Sequence, residues 1–222
     1  MDQASASLNV SLAFAEPAFD FQQAASALQR SVCKTLSGFS LDPASLTAAL
    51  ASAKPSEWVI GASFQEQRGQ VRVGFHGLDV TLWYPSWSDY QLLTDVLVVL
   101  EPAVLGVLPE CRLNKRTVLF QGQVPQPPPP SLTLTEESLC NQLAEQFGSR
   151  VQGSLLARFD DPLRGRSTRV WLEPSEWRAG WTYLSIQATS SNLDSPLRED
   201  LSDLYDRLRA LWRLFDWEVQ DD

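Results

Sequence analysis

Histidine is nearly missing from this 222-residue chain, which has one, and there are three cysteines and three lysines. Cys33, Cys111 and Cys140 are odd in number and far apart, so neither a disulfide framework nor a CxxC metal pair is expected. They read as small buried hydrophobes in a reducing compartment. With a single histidine, a zinc centre is left only scattered carboxylates, which excludes a structural metal as an expectation and leaves no cofactor implied. No GxGxxG or Walker-type glycine loop occurs, and no serine or cysteine sits on a nucleophile elbow. The start, Met1-Asp2-Gln3 with Glu16 and Pro17 soon after, does not fit a secretory leader. The longest apolar stretch, residues 96–108, is interrupted by Glu101 and Pro102 and falls short of a membrane span of about 20 residues. The expected location is the cytoplasm.

What is present is a globular composition. Apolar residues make up 44%, charged residues 20%, and the formal charge is -9. A net negative chain repels phosphate backbones and favours basic partners, so neither nucleic acid nor membrane is an expected partner.

Pro125-Gln126-Pro127-Pro128-Pro129-Pro130 is the strongest punctuation, a segment held extended because each ring fixes φ and removes a donor. It divides the chain into a unit at residues 1–124, a linker at 125–130 and a unit at 131–222. A ligand for a proline-reading domain is the alternative use of such a tract.

Before the linker, Leu8, Val10, Leu12 and Phe14 alternate with small or polar residues, as a half-buried strand does. Phe21, Ala25, Leu28, Val32 and Leu36 follow at helical spacing, with Gly38 placed to end that helix. Asp42 and Pro43 then read as the cap and first turn of a second, short helix through Leu46, Ala49 and Leu50. Strands are expected at Trp58 to Phe64, Val71 to Phe75 and Leu78 to Tyr84, joined tightly at Arg68-Gly69 and His76-Gly77. A long helix carries Tyr90, Leu93, Val96, Leu97 and Leu100, with a kink or break at Pro102, and a further strand covers Val118 to Val124.

After the linker come a brief strand at Leu132 and Leu134, a helix from Thr135 to Phe147, and strands at Val151 to Asp160, Arg166 to Glu173 and Trp181 to Ser190. The stripe Leu197, Leu201, Leu204, Leu208, Leu211 and Phe215 closes the chain. The fold class is therefore α+β, with two similar strand-helix-three-strand-helix units and an antiparallel sheet covered by helices on one face.

Alternation makes the uncovered face readable. It assigns Arg72, His76, Asp79, Thr81 and Trp83 outward in the first unit. In the second it assigns Arg158, Arg169, Trp171, Trp181, Tyr183, Ser185 and Gln187 outward. Aromatics and arginines are the groups that recognition surfaces concentrate. Trp87, in the aromatic stretch from Trp83 to Tyr90, is either part of a binding tip or a staple on the helix start. The partner-binding set is thus Arg72, Asp79, Trp83, Trp87, Arg158, Arg169, Trp171, Trp181 and Tyr183. Two other uses of the same face stay open. The aromatics of the two units bury one another, or they line a small-ligand cleft with His76. Chemistry around His76, which Asp79 approaches across a glycine turn, is a further alternative.

The last helix and tail hold Glu199, Asp200, Asp203, Asp206, Asp216, Glu218, Asp221 and Asp222 against Arg198, Arg207, Arg209 and Arg213. They read as a solvated face, supported by pairs such as Asp203 with Arg207, or as a docking surface for a basic protein. In layout, size and charge, though in no motif, the chain resembles small acidic bacterial binding proteins such as toxin-neutralising immunity proteins and secretion chaperones. That resemblance implies a non-enzymatic protein-binding module, an adaptor or a subunit of a larger assembly, with a basic partner. Nothing in these residues sets the oligomeric state.

Overall fold

The computed structural model describes residues 6–50, 52, 54–83, 85, 89–124, 156–161, 165–174, 182–191 and 193–214. The linker at 125–130, the strand and helix expected at 132–147, Trp87 and Trp181 lie outside the described residues.

Strand β1 (Ser7–Phe14) alternates strictly between half-buried and buried positions, as its sequence pattern requires. Helix α1 (Phe21–Leu36) buries Phe21, Ala25, Leu28, Val32 and Leu36, the expected stripe. Its exit differs from the expectation. Gly38 lies within a short 3₁₀ turn, Ser37–Phe39, and the left-handed residue that redirects the chain is Ser40, at φ 56°.

The helix expected after Asp42-Pro43 is instead an edge strand, β2 (Leu41–Ala49), paired with β3 (Val59–Phe64). The local cap chemistry is present, since the Ala44 amide donates to Asp42 Oδ1 at 3.0 Å and the Ser45 hydroxyl to the Asp42 carbonyl at 2.6 Å. These bonds close one irregular turn. The register shifts between Asp42 and Thr47, and Thr47, Ala48 and Ala49 then resume pairing with Gly61, Ile60 and Val59. Backbone pairing to β3 satisfies more of the chain than a helix of two turns on a weak apolar stripe could.

Strands β4 (Gly69–Gly74) and β5 (Gly77–Trp83) complete a meander with β3. Between β3 and β4, Gln65, Glu66 and Gln67 are all left-handed, at φ 51°, 53° and 70°. Gly69 then leaves room for the Phe64 ring, which a Cβ there would meet at 2.3 Å.

Helix α2 (Asp89–Val107) runs through Pro102, so of the kink or break expected there the break does not occur. By length and composition it is the one helix among the described residues able to cross a membrane, but Leu93, Val96, Leu97, Leu100 and Val104 are buried in the core. Strand β6 (Leu113–Val124) is longer than expected and pairs with β1 on one side and β9 (Thr182–Ser190) on the other. Strands β7 (Leu156–Asp161) and β8 (Arg166–Pro174) and helix α3 (Leu197–Leu214) complete the described elements.

The described residues form a mixed α/β fold, a nine-stranded antiparallel sheet in the order β2-β3-β4-β5-β1-β6-β9-β8-β7 with three α-helices. Strands from before and after the proline tract belong to one sheet, joined through β6. Val10, Val71, Val80, Val118, Val170 and Ile186 are buried in the same cluster as Leu28 of α1, Leu97 of α2 and Leu201 and Leu204 of α3. Each such side chain contributes about 1.5–3 kcal/mol on leaving water.

Candidate partner-binding face

Positions of the opposite parity form the other face of this sheet, and register aligns them in rows. One row runs Trp83, Ser7, Gln121, Ser185 and Trp171 across β5, β1, β6, β9 and β8. With neighbouring strands about 4.8 Å apart, the two tryptophan positions stand ~19 Å from each other. The next row is Thr81, Asn9, Leu119, Gln187, Arg169 and Arg158. A third runs Arg72, Asp79, Ser11, Thr117, Thr189, Ser167 and Asp160.

Seven of the nine residues expected in the binding set are therefore on one face. They fall into two groups. Arg72, Asp79 and Trp83 sit on β4 and β5, and Arg158, Arg169, Trp171 and Tyr183 on β7, β8 and β9. Trp87 and Trp181 lie outside the described residues. Arg72, Arg158 and Arg169 are exposed, Asp79, Trp83 and Tyr183 half-buried, and Trp171 is 50% exposed. The two groups lie side by side in one sheet, so Trp171 is not packed sheet on sheet against the first group.

Along the three rows, the β1 and β6 positions between the groups are uncharged, and side chains there are joined by hydrogen bonds. Asn9 Nδ2 donates to Thr81 Oγ1 at 2.8 Å, Gln121 Nε2 to Tyr183 Oη at 3.0 Å, and the Thr117 and Thr189 hydroxyls lie 3.4 Å apart. These bonds hold the amides and the phenol in place on the face.

His76 is exposed in the β4–β5 turn, its ring 5.0 Å from and edge-on to Phe75. Asp79 is opposite Arg72 across β4 and β5, and no hydrogen bond or ion pair joins it to His76. The dyad approach expected across the glycine turn does not form. No group of three or more potential metal-ligating side chains occurs among the described residues.

Several features escaped the sequence reading. Asp200 is 1% exposed, not solvated, and its two oxygens lie 3.2 Å from Arg116 Nη1 and 3.2 Å from Arg166 Nη2. Asp203 pairs with Arg166 rather than with Arg207, which is 3.6 Å from Asp161. Glu101 is half-buried, and burial raises its carboxyl above the ordinary range while the Arg116 charge opposes the rise. Burial, with the Asp20 and Glu110 charges, pushes the Cys111 thiol up. The parity of Arg116 was the available signal, since it faces Leu12 and so belongs to the buried side. Phe19 is exposed at 75%, edge-on to Phe75, and no period marks it.

No protein-family model and no curated protein matches the sequence.

Proposed function

We propose that this chain is a non-enzymatic, cytoplasmic protein-binding module, and that a partner protein docks on the polar sheet face while the helices cover the other. The observation that carries this reading is the exposed Trp171 on the same face as Trp83, Tyr183 and three exposed arginines. Indoles, phenols and guanidiniums supply most of the energy where proteins recognise one another, and here they are gathered on one sheet face. The free thiols Cys33 and Cys111 are in keeping with a reducing compartment.

A basic partner fits the net charge of -9, which accelerates its encounter. Neutralising or escorting such a partner, or joining it in a larger assembly, are the forms this role takes. Purification of the tagged chain from its native host, followed by hydrogen exchange of the recovered complex, tests the reading. Protection of β4, β5, β8 and β9 that is lost in a Trp83→Ala, Trp171→Ala variant is the expected result. A chain that stays alone at low and moderate salt, or a complex protecting only the helices, overturns it.

A further inference from the structure

Arg158 and Arg169 stand directly opposite each other across β7 and β8, and both are exposed. Like charges at opposed positions repel and weaken a strand pair. Arg158 is compensated, since its Nε lies 2.9 Å from one oxygen of Asp160 and 3.1 Å from the other. Arg169 takes part in none of the ion pairs of the described residues. Two residues further along β8, on the same face, is the half-exposed Trp171. On β9 the neighbours of these two are Gln187 and Ser185, half-buried and uncharged. The sheet thus presents, beside an indole, a cation that makes no ion pair among the described residues and whose neighbours on β9 are uncharged.

We infer that this end of the face receives an acidic segment of the partner protein, a carboxylate meeting Arg169 and an apolar or aromatic side chain meeting Trp171. The inference rests on the reading that the polar face binds a protein, and it names which part of the partner lands where. A planar guanidinium fits a carboxylate through two parallel hydrogen bonds. Tryptophan offers a large rigid contact at low ordering cost. A nucleic acid fits less well, because affinity for it grows with the number of phosphates neutralised, and a chain of charge -9 repels the phosphate backbone as a whole. A partner that is basic overall still presents a local acidic segment here, which fixes its orientation on the sheet.

Fluorescence anisotropy with the full chain tests this. The probes are a labelled peptide alternating glutamate with phenylalanine, the same peptide with lysine for glutamate, and a labelled oligothymidine. The acidic peptide is expected to bind and the other two not. Arg169→Glu and Trp171→Ala are each expected to weaken it by about tenfold, while Arg30→Glu, the same charge change at an exposed position of α1, changes it by less than about twofold. Melting curves establish that each variant folds. Equal binding by Arg169→Glu, or preference for the lysine peptide or the oligonucleotide, overturns the inference. So does an acidic peptide that does not bind; if a native partner nevertheless protects β4 and β5, the broader reading survives that failure.

Discussion

Arg116 on β6 holds Asp200 on α3 across the buried side of the sheet, Nη1 to Oδ2 at 3.2 Å, with the arginine 5% and the aspartate 1% exposed. The same guanidinium donates to the Ser195 carbonyl at 3.0 Å, just before α3 begins. One pair therefore sets where α3 starts and which way it lies on the strands. Arg166 of β8 takes the other oxygen of Asp200, so the carboxylate joins two strands that are separated by β9.

Removing Asp200 leaves Arg116 buried with no carboxylate of the described residues in ion-pair distance, whereas Arg166 keeps Asp203. Asp200→Ala is expected to cost about 3–5 kcal/mol in urea unfolding, the range for a buried charge stripped of its partner. The double variant Arg116→Met, Asp200→Leu is expected to recover most of that loss, because no uncompensated charge remains on β6. A double variant as unstable as Asp200→Ala alone would show that the pair acts by something other than charge.

Gly77 lies at the start of β5, where a Cβ would stand 2.3 Å from the Leu12 carbonyl oxygen of β1. The obstacle is backbone of the central strand, which cannot rotate away. Gly77→Ala is expected to cost about 1–3 kcal/mol through forced displacement of β1 against β5, read as a drop in the urea midpoint at unchanged slope. Gly38, with nothing within 4 Å of a Cβ, is the control, and Gly38→Ala leaves the midpoint nearly in place.

The turn between β3 and β4 holds three left-handed residues in succession, none of them glycine. Each costs about 1–2 kcal/mol relative to a right-handed conformation. The turn is retained by backbone bonds, Gln65 N to Ser40 O at 3.1 Å and Arg68 N to Gln65 O at 3.0 Å, and by the Arg68 to Asp89 ion pair at 2.6 Å. Glu66→Gly removes strain but loosens the unfolded chain by about 0.4–1 kcal/mol, so the expected net gain is roughly 0.5–1 kcal/mol. Glu66→Val, which branches at Cβ where φ is 53°, is expected to destabilise. Thermal melts of the two variants on either side of wild type are the check.

Alternation and helical spacing made most of the described fold legible. The positions Val71, Val80, Val170 and Ile186, assigned inward from period alone, are all buried, and the described members of the outward set are exposed or half-buried. What failed did so where a local signal met a tertiary one. Asp42 and Ser45 make the bonds of a helix cap, yet pairing of Thr47 to Ala49 with β3 decides the conformation. Asp200 has the place of an ordinary first-turn acid on α3, and only the parity of Arg116 betrays that a buried charge needs it. That the two groups of outward residues share one face followed from no pattern in either half, because it depends on β6 pairing with β1 and β9 at once.

Tyr205 on α3 is buried against Tyr90, ring centroids 5.1 Å apart, and its hydroxyl has no hydrogen-bond partner among the described residues. A buried hydroxyl left unpaired costs about 1–3 kcal/mol of desolvation, so Tyr205→Phe, which keeps the ring and deletes the oxygen, is expected to stabilise by about 1 kcal/mol. Burial, and secondarily Tyr90, also drives the Tyr205 phenol far above its ordinary value of 10.0. The folded chain therefore keeps this proton at a pH where the unfolded chain has lost it. Because the folded state then binds more protons, stability falls as pH rises, by up to about 1.4 kcal/mol per pH unit above pH 10. Below pH 10 the residue adds no slope. Urea midpoints measured from pH 8 to pH 11 are expected to fall less steeply at the alkaline end in Tyr205→Phe than in wild type. Identical alkaline slopes for the two proteins would mean that the Tyr205 hydroxyl reaches water in the folded state.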